Sequence, residues 1–352
     1  MSISACIIVK NEEKLLPDCL ESIKDWVDEI ILVDTGSTDK TKEIAEKYGA
    51  KIFDMEWRDD FSAARNFAIS KATQEWIFTI DADEIVSSGS GERLKELLPD
   101  IEEDTIAVDV FNLHGPNRVA RSHLVMIRFF KRSSNPRYEG RVHNRPVIGD
   151  GTVRLFPFRI NHIGYDLSKE EMIKKDERRV AMCKRWTEEE PDQPGAWHHY
   201  ALALETKGGV FDFGRIPQIV QTLKKGLAVC RGDGNSRHVH IQILYQLAWM
   251  KYAAGEFDEA IGYGKKALAM KPDYLDAIFT IGLAYTYGVD ALKGEEWLLR
   301  YLREQEAYHF IDKLDSVIME HANDRKMAYA ALIKIEDWKE KQSLTGELKT
   351  KG

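Results

Sequence analysis

Trp76-Ile77-Phe78-Thr79-Ile80-Asp81-Ala82-Asp83-Glu84 decides how the N-terminal half is read. A short strand-like run ends directly on three acids. Moving outward, Ile3 to Val9, Ile30 to Val33 and Lys51 to Met55 are further brief, continuous apolar runs of strand character. Between them, residues recur at helical spacing: Leu16, Cys19, Leu20, Ile23 and Val27, then Ile44, Ala45 and Tyr48, then Phe61, Ala64, Phe67 and Ala68. The order β-α-β-α-β-α-β predicts an α/β fold with a parallel sheet covered on both faces by helices. Ligands then bind in the crevice beyond the carboxyl ends of the strands. Strand one ends in Val9-Lys10-Asn11-Glu12 and strand two in Val33-Asp34-Thr35-Gly36-Ser37-Thr38-Asp39, so three strand ends converge on acidic groups. An isolated Asp-x-Asp is more often a solvated turn. Placed after the fourth strand, these hard oxygen ligands suit Mg²⁺ or Mn²⁺.

Residues 105 to 160 change character, with strand-like stretches Ile106 to Leu113 and Leu124 to Phe130 that predict antiparallel additions to the sheet. From Ser168 the chain becomes helical, and Pro191-Asp192-Gln193-Pro194-Gly195 is the strongest breaker cluster. The 34-residue segment Ile241 to Tyr274 carries Leu244, Leu247, Ala248, Gly255, Phe257, Ala260, Ala267 and Pro272 at tetratricopeptide spacings. A following unit starts with Ile278, Ile281, Gly282 and Tyr285 and departs after Gly288, and a preceding one keeps Trp197, Ala201 and Gly208. One helical pair cannot bury its apolar face alone, so neighbouring pairs are expected to stack.

The 352 residues carry 50 Lys+Arg against 58 Asp+Glu, a net charge of -8, which argues against nucleic-acid binding. The charge is uneven. Residues 1 to 114 hold 12 basic and 26 acidic groups, whereas residues 115 to 160 hold 10 and 2. Arg118, Arg121, Arg128, Lys131, Arg132, Arg137, Arg141 and Arg145 in that middle segment are candidates for binding phosphates or another anionic ligand. The four cysteines have no metal or disulfide spacing and are expected to be buried or unreactive. No stretch approaches a membrane span, and the run Ala5 to Val9 is too short for a signal core, so a soluble, cytoplasmic protein is expected.

Four ordered motifs make the N-terminal half resemble a family 2 glycosyltransferase with the GT-A fold. They are Ile8-Val9-Lys10-Asn11-Glu12, Asp34-Thr35-Gly36-Ser37-Thr38-Asp39-Lys40-Thr41, Phe61-Ser62-Ala63-Ala64-Arg65-Asn66 and Asp81-Ala82-Asp83-Glu84. With the C-terminal repeats, the layout resembles bacterial peptide and protein glycosyltransferases. The resulting division is a GT-A domain over residues 1–165, a connecting helix or linker over 166–193, tetratricopeptide-like repeats over 194–340 and a polar tail over 341–352. The resemblance implies inverting transfer of a hexose from a UDP-sugar. It places Val9, Lys10, Asn11 and Glu12 around the uracil, Asp34 on its imide N–H, Arg65 beside the base or diphosphate, and Asp81 and Ala82 along the donor with Asp81 towards the ribose. Asp83 would bind the Mn²⁺ or Mg²⁺ that bridges the diphosphate.

Inverting transfer needs a carboxylate to take the acceptor proton. Relatives with helical repeats tend to show a Gly-x-x-His-Glu-like segment, matched here by Tyr138-Glu139-Gly140-Arg141-Val142-His143-Asn144, with Asn144 where the acid is expected. Asn cannot act as a base, so Glu139 is the candidate, with an acid elsewhere or a less demanding acceptor as alternatives. His143 is preferred as a metal or diphosphate contact. His162 is the second candidate, and His198 and His199 are read as structural. The expected acceptor is a peptide or protein presented by the repeats, which could also make a homo-oligomer. The alternatives are a lipid-linked or cell-envelope saccharide, or a non-catalytic nucleotide-binding scaffold with peptide-binding repeats.

Overall fold

The apolar runs of the first 80 residues form parallel strands β1 (Ile3–Val9), β2 (Glu29–Asp34), β3 (Lys51–Asp54) and β4 (Trp76–Thr79). The helical-period stretches form α1 (Leu16–Ile23), α2 (Thr41–Lys47) and α3 (Phe61–Lys71). This computed structural model describes residues 1–114, 118–142, 144–147, 152–164, 168–231, 236–306 and 325–350. β2 and β4 are buried along their whole length, as unbroken apolar strands covered on both faces must be, whereas β3 at the sheet edge is not. The register pairs Val9 with Asp34 and Cys6 with Thr79, so the loops after β1, β2 and β4 leave the sheet along one edge.

Beyond β4 come β5 (Glu84–Val86), α4 (Ser90–Leu97), β6 (Thr105–His114), β7 (Val119–Lys131), β8 (Arg137–Glu139), β9 (Arg145–Val147) and β10 (Val153–His162). The large sheet runs β3-β2-β1-β4-β7-β6-β10-β5, and β8 with β9 form a separate ribbon. The antiparallel additions expected at 106–113 and 124–130 are β6 and β7, paired with each other, and β7 also pairs with β4. β5 and β10 were not apparent in the sequence. β5 has three residues. β10 contains Pro157, which lacks the N–H a central strand needs; the ladder with β6 shifts register between Leu155 and Arg159, where that lost donor is tolerated.

The core on one face of the sheet is aromatic. Phe78 and Phe129 stack at 4.3 Å, with Phe158 edge-on to both and Trp26 packed beside them. On the other face Cys6, Ile31, Val33, Ala68, Ile77 and Phe130 close against α3 and Tyr138 of β8.

Residues Met1–Glu171 form one compact unit and Met172–Gly352 a second. The helices of the remaining chain are α5 (Lys169–Glu189), α6 (Pro194–Leu204), α7 (Ile216–Ala228), α8 (Arg237–Ala253), α9 (Phe257–Met270), α10 (Leu275–Ala284), α11 (Ala291–Glu306) and α12 (Arg325–Thr350). The 34-residue repeat occupies α8 and α9, with Leu244, Leu247, Ala248, Ala260 and Ala267 buried. Gly255 turns the chain between them at φ 77°, a conformation that favours glycine. Gly264 allows α10 to approach: a Cβ there would lie 2.6 Å from Ile281. The next repeat loses its pattern where α10 runs into a π-helical turn over Tyr285–Val289. Cys6, Cys19 and Cys183 are buried and Cys230 partly so, all as free thiols. No helix among the described residues is long and apolar enough to cross a membrane.

Candidate active site

Two loops close the crevice beyond β1 and β2, and the motif residues stitch them together. Asn11 adopts a left-handed conformation (φ 57°) at the end of β1, so that its N–H donates to Ser37 Oγ (2.9 Å) and its side-chain oxygen accepts from Thr38 N–H (2.7 Å). The Glu12 N–H donates to Thr41 Oγ1 (2.8 Å), and Thr35 returns two bonds to the Val9 carbonyl. Lys10 projects outward. At the base of the crevice Asp34 is 1% exposed. Its Oδ1 accepts from Gly36 and Ser37 N–H, both at 2.8 Å, while Oδ2 has no partner among the described residues. A buried acceptor left unpaired is costly, and its presence here suits a ligand N–H donor.

The second group assembles around the turn after β4. Arg65 Nη2 from α3 bonds Asp81 Oδ1 at 2.6 Å, and Arg128 from β7 lies 3.7 Å from Asp81 Oδ2. Arg128 also bonds Glu84 Oε1, and the other Glu84 oxygen accepts the Asp81 backbone N–H at 2.9 Å. Burial alone would raise the Asp81 carboxyl, but Arg65 and Arg128 hold it at about 2. Burial lifts Glu84 to about 7 against the pull of Arg128. Arg65 lies over the Tyr138 ring, whose hydroxyl meets Thr79 Oγ1 at 2.9 Å; the Arg65 Nε is buried with no hydrogen-bond partner among the described residues.

Asp83 lies apart from this charge-balanced group. Its Oδ2 faces His162 Nε2 at 3.1 Å, and His162 Nδ1 is 2.9 Å from Asn112 Oδ1 on β6. Burial disfavours the His162 cation, yet the bond to Asp83 raises its pKa overall. Gly164 makes room for Asp83, since a Cβ there would sit 1.9 Å from Oδ2.

The third motif has a structural explanation. Asp60 caps α3 by accepting from Ala63 N–H, Ser62 Oγ donates to the Gly140 carbonyl, and Asn66 bonds both the N–H and the carbonyl of Tyr138. These contacts hold β8 against α3 and leave Arg65 pointing at Asp81.

The structure therefore brings Val9, Asn11, Glu12 and Asp34 together at one end of the crevice, and Arg65, Asp81, buried Ala82 and Asp83 at the other. It does not bring Glu139 to the acids. Successive residues of β8 face opposite ways; with Tyr138 turned inward, Glu139 projects outward, 52% exposed, and bonds Arg137. His143 lies outside the described residues. His162, the weaker candidate in the sequence, is the histidine on Asp83, and the signal was its place at the end of an alternating Phe156, Phe158, Ile160 strand. Among the described residues of the Arg-rich segment, Arg128 is buried, Lys131 and Arg132 bond the Glu102 and Gln74 carbonyls, and Arg137 pairs with Glu139.

Comparison with known proteins bears on the family of the chain. Residues 4–162 match the family model for glycosyl transferase family 2. A TPR repeat-containing protein of Synechococcus elongatus is 31% identical over 293 residues, covering 80% of this chain and 68% of that protein. The SPbeta prophage-derived glycosyltransferase SunS of Bacillus subtilis is 31% identical over 199 residues, covering 55% of this chain; the match spans 47% of SunS, about half its length. Among solved structures, S. aureus TarS 1–349 covers 88% of this chain and 93% of its own at 11% identity and a TM-score of 0.40, too loose a likeness to inform the site. With a GT-A sheet carrying the four motifs at its carboxyl edge and helical repeats following it along the sequence, this chain belongs to glycosyl transferase family 2.

Proposed function

We propose that the protein is an inverting, metal-dependent hexosyltransferase that takes its sugar from a UDP-sugar. The observation that carries this reading is the division of labour in Asp81-Ala82-Asp83: Asp81 is neutralised by two guanidiniums, whereas Asp83 faces only a histidine among the described residues. Asp83 Oδ2 and His162 Nε2 are ligand atoms of the right kind for Mg²⁺ or Mn²⁺, and Gly164, having no Cβ, lets the carboxylate take its place beside the histidine. No cluster of three such groups occurs among the described residues. Two protein ligands fit a cation that draws its remaining oxygens from substrate phosphate and water. When bound, the cation would neutralise charge on the departing nucleoside diphosphate.

The chain's own groups supply the rest. Asp34 Oδ2 accepts the imide N–H of uracil, the Asn11 to Ser37 and Thr38 stitch holds the base-binding loops together, and Asp81 turns to the ribose. Arg65, with an unused Nε, reaches the base or diphosphate. A peptide or protein held by the tetratricopeptide-like unit is the proposed acceptor, because such arrays offer surfaces for extended chains.

Incubation with UDP-sugars and Mn²⁺ tests this reading through UDP release, including slow hydrolysis without an acceptor. Asp83→Ala and His162→Ala are each expected to lose metal-stimulated release while keeping the fold. Release that is indifferent to Mn²⁺ in the native protein, or unchanged in both variants, would refute the assignment.

A further inference from the structure

Glu84 and Arg128 form an ion pair with side chains only 2% and 5% exposed. Burying two charges is expensive, and matched apolar residues commonly serve stability as well or better. A buried pair next to a binding turn is therefore better explained by what it holds than by the stability it adds. Both members reach the same neighbour. Glu84 uses one oxygen for Arg128 and the other for the Asp81 N–H, and Arg128 extends its second nitrogen towards Asp81 Oδ2. The members come from different strands, β5 and β7, which are not neighbours in the sheet. Arg65 from α3 takes Asp81 Oδ1. The Asp81 carboxylate is thus bonded at Oδ1, lies within ion-pair reach of Arg128 at Oδ2, and is held at its backbone N–H.

We infer that Glu84 and Arg128 are positioning residues, a buried clamp that sets the Asp81 carboxylate for the nucleoside part of the donor and leaves the cation to Asp83. The inference rests on the nucleotide reading above. The clamp makes no hydrogen bond to Asp83 Oδ2 or His162 Nε2 among the described residues, and although the Glu84 charge also acts on His162, removing Glu84 and Arg128 as a pair leaves the net charge there unchanged. The paired removal should therefore weaken nucleotide binding without altering the advantage that a metal ion confers.

The test measures UDP affinity by calorimetry with and without Mn²⁺, using the full chain. In the double variant Glu84→Gln with Arg128→Met, which removes both charges together, UDP affinity is expected to fall about tenfold under both conditions. The ratio between the two conditions should stay at the native value, whereas Asp83→Ala should collapse that ratio towards one. Arg128→Lys keeps the charge but not the fork and should lose less than the double variant; it serves also if the double variant does not fold. Native UDP affinity in Arg128→Lys and the double variant alike would overturn the inference, as would loss of the Mn²⁺ advantage in either. A native protein that binds no UDP at all would instead overturn the nucleotide reading, and the inference with it.

Discussion

At Asp34, the two oxygens of one carboxylate are placed differently. Oδ1 is occupied by Gly36 and Ser37 N–H, so the loop itself fixes which oxygen remains for a ligand. Asp34→Asn should keep the loop bonds on the amide oxygen and turn an NH₂ towards the base. UDP affinity is then expected to drop roughly 100-fold, because a donor meets a donor. Binding of CDP, whose ring nitrogen accepts at that position, should be favoured relative to UDP. An unchanged preference in a paired titration would remove Asp34 as the base reader. Glu139 presents the opposite case. Its exposure and its bond to Arg137 set it apart from the acids, so Glu139→Gln should cost far less than the roughly 100-fold or more that loss of a general base costs. A larger loss in acceptor transfer would return the base to Glu139. The strand-end acids were legible in the sequence because continuous apolar runs point to their own ends. The pairing of His162 with Asp83 was not, although His162 stood as the second candidate, because the two are 79 residues apart and only the order of strands in the sheet joins them.

Elements become specific where single side chains tie them together. Glu29, at the start of β2, accepts from Ser4 on β1, from Lys51 on β3, and from the Thr73 N–H and hydroxyl before β4. Burial would raise its carboxyl, but these donors, Lys51 foremost, hold it at about 2 instead of 4.5. Because the folded value is the lower one, the stabilisation is complete above about 4.5 and is lost as pH falls towards 2. At neutral pH it amounts to about 3 kcal/mol. Urea titrations of Glu29→Gln should show that loss at pH 7 and a flatter acid limb between those limits; parallel curves for variant and native protein would dismiss the tie. Strand β10 illustrates what patterning alone leaves out. Its alternation was present, but Pro157 marks a sequence against being central, and only the register shift beside it resolves the conflict. The same strand carries His162 and leads to Gly164, so Gly164→Ala should displace Asp83 and lose metal-stimulated turnover while the unfolding midpoint moves little. Retained Mn²⁺ stimulation would show that Asp83 does not need that space.

For the whole molecule, average quantities concealed the organisation. The net charge of -8 spans an acidic first segment and a basic middle one, and the deepest described basic residue of that segment, Arg128, is absorbed by Glu84 and Asp81. Repeat spacing was legible over α8 and α9 because close helix packing demands small residues at fixed positions. It faded where a π-helical turn took over. The cores divide in the same way: the sheet packs its aromatic cluster within residues 1–171, and α8 to α12 close a separate one around Tyr274, Phe279 and Tyr301. Gly264→Leu would force a side chain into the space of Ile281 in that second core, where overpacking costs about 1 to 3 kcal/mol. The expected outcome is a lower urea midpoint for the helical signal, with UDP affinity at 25 °C unchanged. On the proposed function UDP with Mn²⁺ binds only the folded nucleotide unit, so it should raise the transition of that unit and leave the other in place. If UDP affinity fell in step with the destabilisation, or if nucleotide moved both transitions equally, the two units would have to be treated as one cooperative body.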